Sequence, residues 1–322
     1  MDKPISDFAP TDANRVPRYA DVATFMRAKA IPLEQVGDID VGIVGVPFDL
    51  GTVYRMGSRH GPASIREQSR TIKPVNFHTK TAAYDIAKIA DLGDTPVHPL
   101  SLDMSFEIIT DWFNQIRDHG VRPLVLGGDH TLSLPVLRGL ARDRAVGMIQ
   151  FDAHSDTSDE IRGSKLNHAT PFRRAVEEGL LDPRRVIQIG LRGSAYSADD
   201  YTWARSVGMT LITMDDFEEK GRATVIEEAR SVVGDLPTYI TFDIDGLDAS
   251  FCPGTGVPEP GGFSMRDAMV ILRGLQGIDV IGADVVEVSP PLDIADLTAR
   301  NAAFLGFELL CLLASASRDK RQ

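Results

Sequence analysis

Gly147-Met148-Ile149-Gln150-Phe151-Asp152-Ala153-His154-Ser155-Asp156-Thr157 changes character in its middle. Up to Phe151 it has the length and apolar content of a buried strand; after Phe151 it turns polar and titratable. Similar short runs occupy residues 41–46, 86–89, 124–126, 186–189, 210–213, 239–242 and 280–286, and most of them run into Gly, Asp or Pro. Helical patterns lie between them, at residues 105–119, 134–143, 223–233 and 264–274. Such alternation predicts an α/β fold with a mainly parallel central sheet and helices on both faces. No linker or repeat interrupts it, so residues 36–322 read as a single domain. Residues 1–35 have loop-like composition and read as an N-terminal arm that wraps a neighbour or the domain surface.

The 322 residues are 43% hydrophobic and 25% charged, ordinary for a globular chain. The net charge of −12 argues against a nucleic-acid partner and favours cationic substrates. No run of 18 apolar residues occurs, so no membrane association is expected. The polar, proline-bearing start lacks the apolar stretch of a secretory signal, which predicts a cytoplasmic location. Cys252 and Cys311 are the two cysteines; free thiols in a reducing compartment are expected.

The chemistry-bearing residues follow the strands. Asp152, His154 and Asp156 are spaced by two, which places them on one face of extended backbone. Thr241-Phe242-Asp243-Ile244-Asp245 repeats the device, and Gly127-Gly128-Asp129-His130 closes another strand. In a parallel sheet these ends can meet on one edge, where ligands bind in α/β folds. One Asp-x-Asp alone is well explained as a helix cap. Three clusters holding two of the seven histidines are not, because carboxylates gathered beside apolar strands repel and resist desolvation. Two divalent ions would balance Asp152, Asp156, Asp243 and Asp245. Oxygen and nitrogen donors without thiolate favour Mn²⁺, with Ni²⁺, Co²⁺ or Fe²⁺ as alternatives. Two cations sharing one water would supply hydroxide near neutral pH for attack on an electrophilic carbon.

These motifs together resemble the ureohydrolases: arginase, agmatinase and the guanidino-acid amidinohydrolases. The resemblance runs from Pro17 to about Leu313 and implies a three-layer α/β/α fold, a dinuclear centre and a homotrimer or homohexamer. A hetero-oligomer with a related chain is also compatible with it. Carried onto this sequence, one metal takes His130, Asp152, Asp156 and Asp243, and the other Asp152, His154, Asp243 and Asp245. Glu287 would hold a guanidinium in plane and His168 would shuttle protons. Thr170-Pro171-Phe172-Arg173-Arg174-Ala175 and Gln188-Ile189-Gly190-Leu191-Arg192-Gly193 look most like the bacterial guanidinobutyrase and guanidinopropionase branch. That implies a small guanidino acid as substrate and urea plus an amine as products. Ser158, Asn167, Ala169 and Arg300 depart from relatives. The first two and Arg300 are expected to bind substrate, Arg300 through a carboxylate tail or else as a subunit salt bridge. Agmatine, guanidine, a substituted guanidine or a biguanide are alternative substrates. A non-catalytic subunit of a ureohydrolase assembly is the reading from another class. It would be expected to have lost metal ligands, and all six are present.

Overall fold

The computed structural model describes residues 7–319, apart from Tyr196, Ala198 and Asp199. Its strands are β1 (Lys29–Ala30), β2 (Val41–Gly45), β3 (Ile89–Asp94), β4 (Arg122–Leu126), β5 (Val146–Phe151), β6 (Leu181–Leu191), β7 (Thr210–Thr213), β8 (Thr238–Asp243) and β9 (Val280–Val286). They form one sheet in the order β1-β3-β2-β4-β9-β8-β5-β6-β7, and every pairing is parallel. Within β5, Ile149 and Phe151 face one hydrophobic core while Val146 and Met148 face another. This is the two-residue alternation of a strand covered on both sides.

Helices fill the two faces. On one side lie α1 (Gly61–Ser69), α2 (Ala83–Ile86), α7 (Met214–Val233), α8 (Met265–Gly274) and α9 (Leu297–Asp319). On the other lie α3 (Leu102–Asp118), α4 (Ser133–Leu140), α5 (Pro171–Glu177) and α6 (Thr202–Val207). The expected three-layer α/β/α architecture is therefore present. Helix α3 starts where Ser101 accepts a hydrogen bond from Met104 N, and it buries Phe106, Ile109, Phe113 and Ile116 along one stripe. Helix α7 begins at a reciprocal pair of hydrogen bonds between Thr213 and Asp216.

The structure revises one strand boundary. The run at 86–89 is not a strand; α2 ends at Ile86 and β3 begins at Ile89. Asp91 interrupts the apolar pattern there, yet it is buried and bound by Arg66 through Nε and Nη2 at 2.9 Å each, with Phe25 N donating at 2.8 Å. Within the expected N-terminal arm, Phe25 is fully buried and β1 extends the sheet beside β3. Helix α9 is long and apolar enough to cross a membrane by composition, but most of it is packed inside the fold. Its Glu308 is buried and accepts from Asn76 Nδ2 at 2.7 Å and Arg273 Nε at 2.9 Å.

Candidate metal centre

The carboxyl ends of β4, β9, β8 and β5 are adjacent in the sheet, and the chain leaves each of them into a titratable segment. After β4 the chain makes its turn through Gly127 and Gly128. A Cβ on Gly128 would meet Phe48 O at 1.7 Å, so only glycine permits this approach. Asp129 then caps the turn that carries His130, accepting from Thr131 N at 2.9 Å and Gly51 N at 2.7 Å. Burial and the charge of Glu287 push the Asp129 carboxyl up to about 7.

His130 is fully buried. Its Nε2 lies 2.8 Å from Thr241 Oγ1, while Nδ1 has no hydrogen-bond partner among the described residues. Three carboxylate oxygens surround that nitrogen: Asp156 Oδ2 at 2.9 Å, and Asp152 Oδ2 and Asp243 Oδ2 at 3.2 Å each. With Nε2–H donating to Thr241, a bare Nδ1 lone pair would face three anions. A proton or a cation must stand between them. Without metal, burial resists charging the ring, but the three carboxylates outweigh it and raise its affinity for protons. Asp152 joins a second group with His154 and Asp245, and His154 Nδ1 sits 3.1 Å from Asp245 Oδ2.

The donors therefore fall into two sets, His130/Asp152/Asp156/Asp243 and Asp152/His154/Asp245, with Asp152 in both. Asp243 belongs to the first set and is not grouped with the second, where the sequence reading also placed it. Four carboxylates and two imidazoles fit two divalent ions in charge and donor type. The cluster is able to hold a dinuclear metal centre.

Supporting hydrogen bonds fix these donors. Gln150 Nε2 donates to Asp152 Oδ2 at 2.7 Å, Ala153 N to Asp245 Oδ1 at 3.1 Å and Asp245 N to Asp243 Oδ1 at 2.9 Å. Gln188 Nε2 in turn donates to Gln150 Oε1 at 2.5 Å. Register places Gln188, Gln150, Thr241 and Asp284 side by side on four neighbouring strands. Sequence reasoning missed this buried row; its signal was a polar residue inside each of four apolar strands. Burial raises the Asp243 and Asp245 carboxyls, Asp245 to about 6. Asp152 is buried too, but hydrogen bonds and charge from His130 and His154 hold it well below the usual range.

Glu287 and His168 meet beside the cluster, although 119 residues separate them. His168 Nδ1 lies 3.0 Å from Glu287 Oε1, which also accepts from His130 N at 2.9 Å. Burial lowers the His168 pKa, but Glu287 outweighs it and lifts the imidazole to about 9. Glu287 and Asp156 both have positive φ, 64° and 52°, a conformation that costs ordinary residues free energy and recurs at functional sites.

A cavity of about 400 Å³ opens over these groups, lined by His154, Asp156, His168, Asp243, Asp245 and Glu287 among others. Ser158 and Ala169 also line it. The other two expected specificity residues do not. Asn167 is buried in its own loop, where Nδ2 donates to Ser164 O and Oδ1 accepts from Ala169 N. Arg300 is exposed on α9, where among the described residues its side chain reaches Gln68 Oε1 at 3.4 Å, and it does not line the cavity as a tail-binding residue would. Cys252 is buried with Sγ against Leu247 O and Asp248 O, and both cysteines are free thiols.

The arginase family profile matches residues 39–311. The chain belongs to the arginase family. Within that family it is 49% identical to the guanidinopropionase of Pseudomonas aeruginosa, over 96% of this chain and 98% of that protein. It is 43% identical to the guanidinobutyrase of the same organism, over 99% of this chain and 100% of that one. Among solved structures, proclavaminate amidinohydrolase from Streptomyces clavuligerus superposes with a TM-score of 0.89 at 36% identity, covering 93% of this chain and 99% of that chain. The arginase-family resemblance read from three motifs is thus confirmed over nearly the whole sequence.

Proposed function

We propose that the protein is a dinuclear-metal amidinohydrolase that cleaves a C–N bond of a small guanidino compound, releasing urea and an amine. The observation that carries this reading is the convergence of six nitrogen and oxygen donors beside a buried Glu287–His168 pair in one cavity. Two divalent ions held there would lower the pKa of a shared water and stabilise charge on the carbon under attack. Manganese suits the donor set, with nickel or cobalt as the alternatives. The residues of the chain do the rest. Glu287 Oε1 is occupied by His130 N and His168, which leaves Oε2 to accept guanidinium N–H groups and hold the planar head. His168, kept protonated by Glu287, is placed to give a proton to the departing amine. Asp129 fixes the His130 turn, and Gln150 fixes Asp152.

The relatives named for guanidinopropionate and guanidinobutyrate support this reaction class and make short guanidino compounds the first substrates to try. The test is urea release from a panel of guanidino compounds by protein loaded separately with Mn²⁺ and Ni²⁺, with metal content measured in parallel. Bound metal without urea from any compound would reject the reading.

A further inference from the structure

A guanidinium held on Glu287 leaves the remainder of the substrate facing the rest of the cavity, where charge decides what fits. Among the described lining residues one guanidinium is present, Arg192. Its N–H groups are all taken by backbone carbonyls. Nε donates to Pro260 O, Nη1 to Gly190 O and Gly246 O, and Nη2 to Asp245 O, Leu247 O and Glu259 O. Arg192 therefore ties three loops together and has no donor left for a carboxylate. No lysine lines the cavity among the described residues, and Tyr196, Ala198 and Asp199 bring no cation by residue type.

The same wall carries Glu259. Its side chain is half-buried and forms no hydrogen bond or ion pair among the described residues. Gly193 makes room for it. A Cβ there would lie 2.5 Å from Glu259 Cδ, and the backbone has φ +87°. A glycine and a free carboxylate thus shape this part of the wall together. Arg162, with φ 52°, lines a neighbouring outer cavity and not this one.

We propose that this cavity selects guanidino compounds whose far end carries no carboxylate, and that Glu259 is the group that reads a cationic far end. This rests on the amidinohydrolase reading and deepens it. The names of the relatives point to carboxylate tails; the charge of this cavity points away from them. A carboxylate tail would approach Glu259 with no lysine or free guanidinium beside it, whereas an ammonium would donate to the Glu259 carboxylate.

The test uses metal-loaded protein and probes of matched length: 4-guanidinobutyrate, butylguanidine and agmatine, with 3-guanidinopropionate as a shorter acid. Agmatine and butylguanidine are expected to exceed 4-guanidinobutyrate in kcat/KM by about tenfold or more. In Glu259→Gln the preference for agmatine over butylguanidine should fall by about tenfold, through KM, and Glu259→Asp should restore part of it. An acid ahead of butylguanidine overturns the selectivity. If that advantage disappears in Arg162→Ala, the tail lies in the outer cavity instead. An unchanged agmatine preference in Glu259→Gln overturns the role of Glu259. Urea with the acids ahead, or urea from other guanidino compounds and none of these four, refutes this inference alone; no urea from any guanidino compound refutes the reaction itself.

Discussion

Removing the metals should reverse how stability depends on pH. In the metal-free chain Asp245 titrates at about 6 and Asp129 at about 7, both above the ordinary 3.8. A raised carboxyl pKa favours the folded state while the group is protonated, and that stability is lost as pH rises through the folded value. Between pH 5 and 7.5 Asp245 would give up on the order of 1 kcal/mol and Asp129 somewhat more, on the order of 2 kcal/mol. His130 and His154, whose affinity for protons is raised, push in the same direction. Asp152 is held low, so it is ionised in both folded and unfolded chains over this window and contributes no slope. The sum, on the order of a few kcal/mol, corresponds to a fall in Tm of roughly 5 °C for a chain of this size. Bound metal replaces protons at the same donors, so the loaded protein should gain stability over the window. Differential scanning fluorimetry of chelator-treated and reconstituted protein at pH 5, 6, 7 and 7.5 measures both. A metal-free Tm that stays flat or rises, with a metal increment independent of pH, would refute the placement of these carboxylates.

Asp152 belongs to both donor sets, so Asp152→Ala should empty both, whereas Asp245→Ala should leave close to one metal per chain; elemental analysis after gel filtration separates them. His168→Asn should retain the metals and lower kcat by about 100-fold or more, with a changed pH–rate profile. An unaltered profile would take His168 out of the proton path. Arg300→Leu should leave KM unchanged for every guanidino compound, because Arg300 stands outside the cavity.

The strand ends were legible because each carries carboxylates or histidine directly after an apolar run, a pattern that parallel sheets gather on one edge. The parallel sheet itself followed from alternation. What stayed hidden depends on contacts between distant segments. Asp91 lies inside β3, beyond the run read at 86–89, and nothing local shows that Arg66 and Phe25 come to meet it. Glu287 and His168 were found separately, but their mutual hydrogen bond and its effect on the imidazole needed the fold. For Arg300 the sequence leaves a tail-binding role and a subunit salt bridge both open, because a linear motif gives no direction around a helix; in the fold it is exposed next to Gln68. The Gln188–Gln150–Thr241–Asp284 row was visible as single polar residues in buried strands; only strand register made it a row.

The strand order β4-β9-β8-β5 also has a consequence for the nascent chain. β4 and β5 are synthesised in succession and carry His130, Asp152 and Asp156, but in the finished sheet two strands made much later lie between them. Consecutive strands often lie side by side, so any early parallel pairing of β4 with β5 across α4 would have to open before β8 and β9 insert. Until residues 238–286 have left the ribosome, neither Asp243 nor Glu287 can reach its place. Before then both donor sets are incomplete, the first lacking Asp243 and the second Asp245, so the full dinuclear site can form only after β8 has been made.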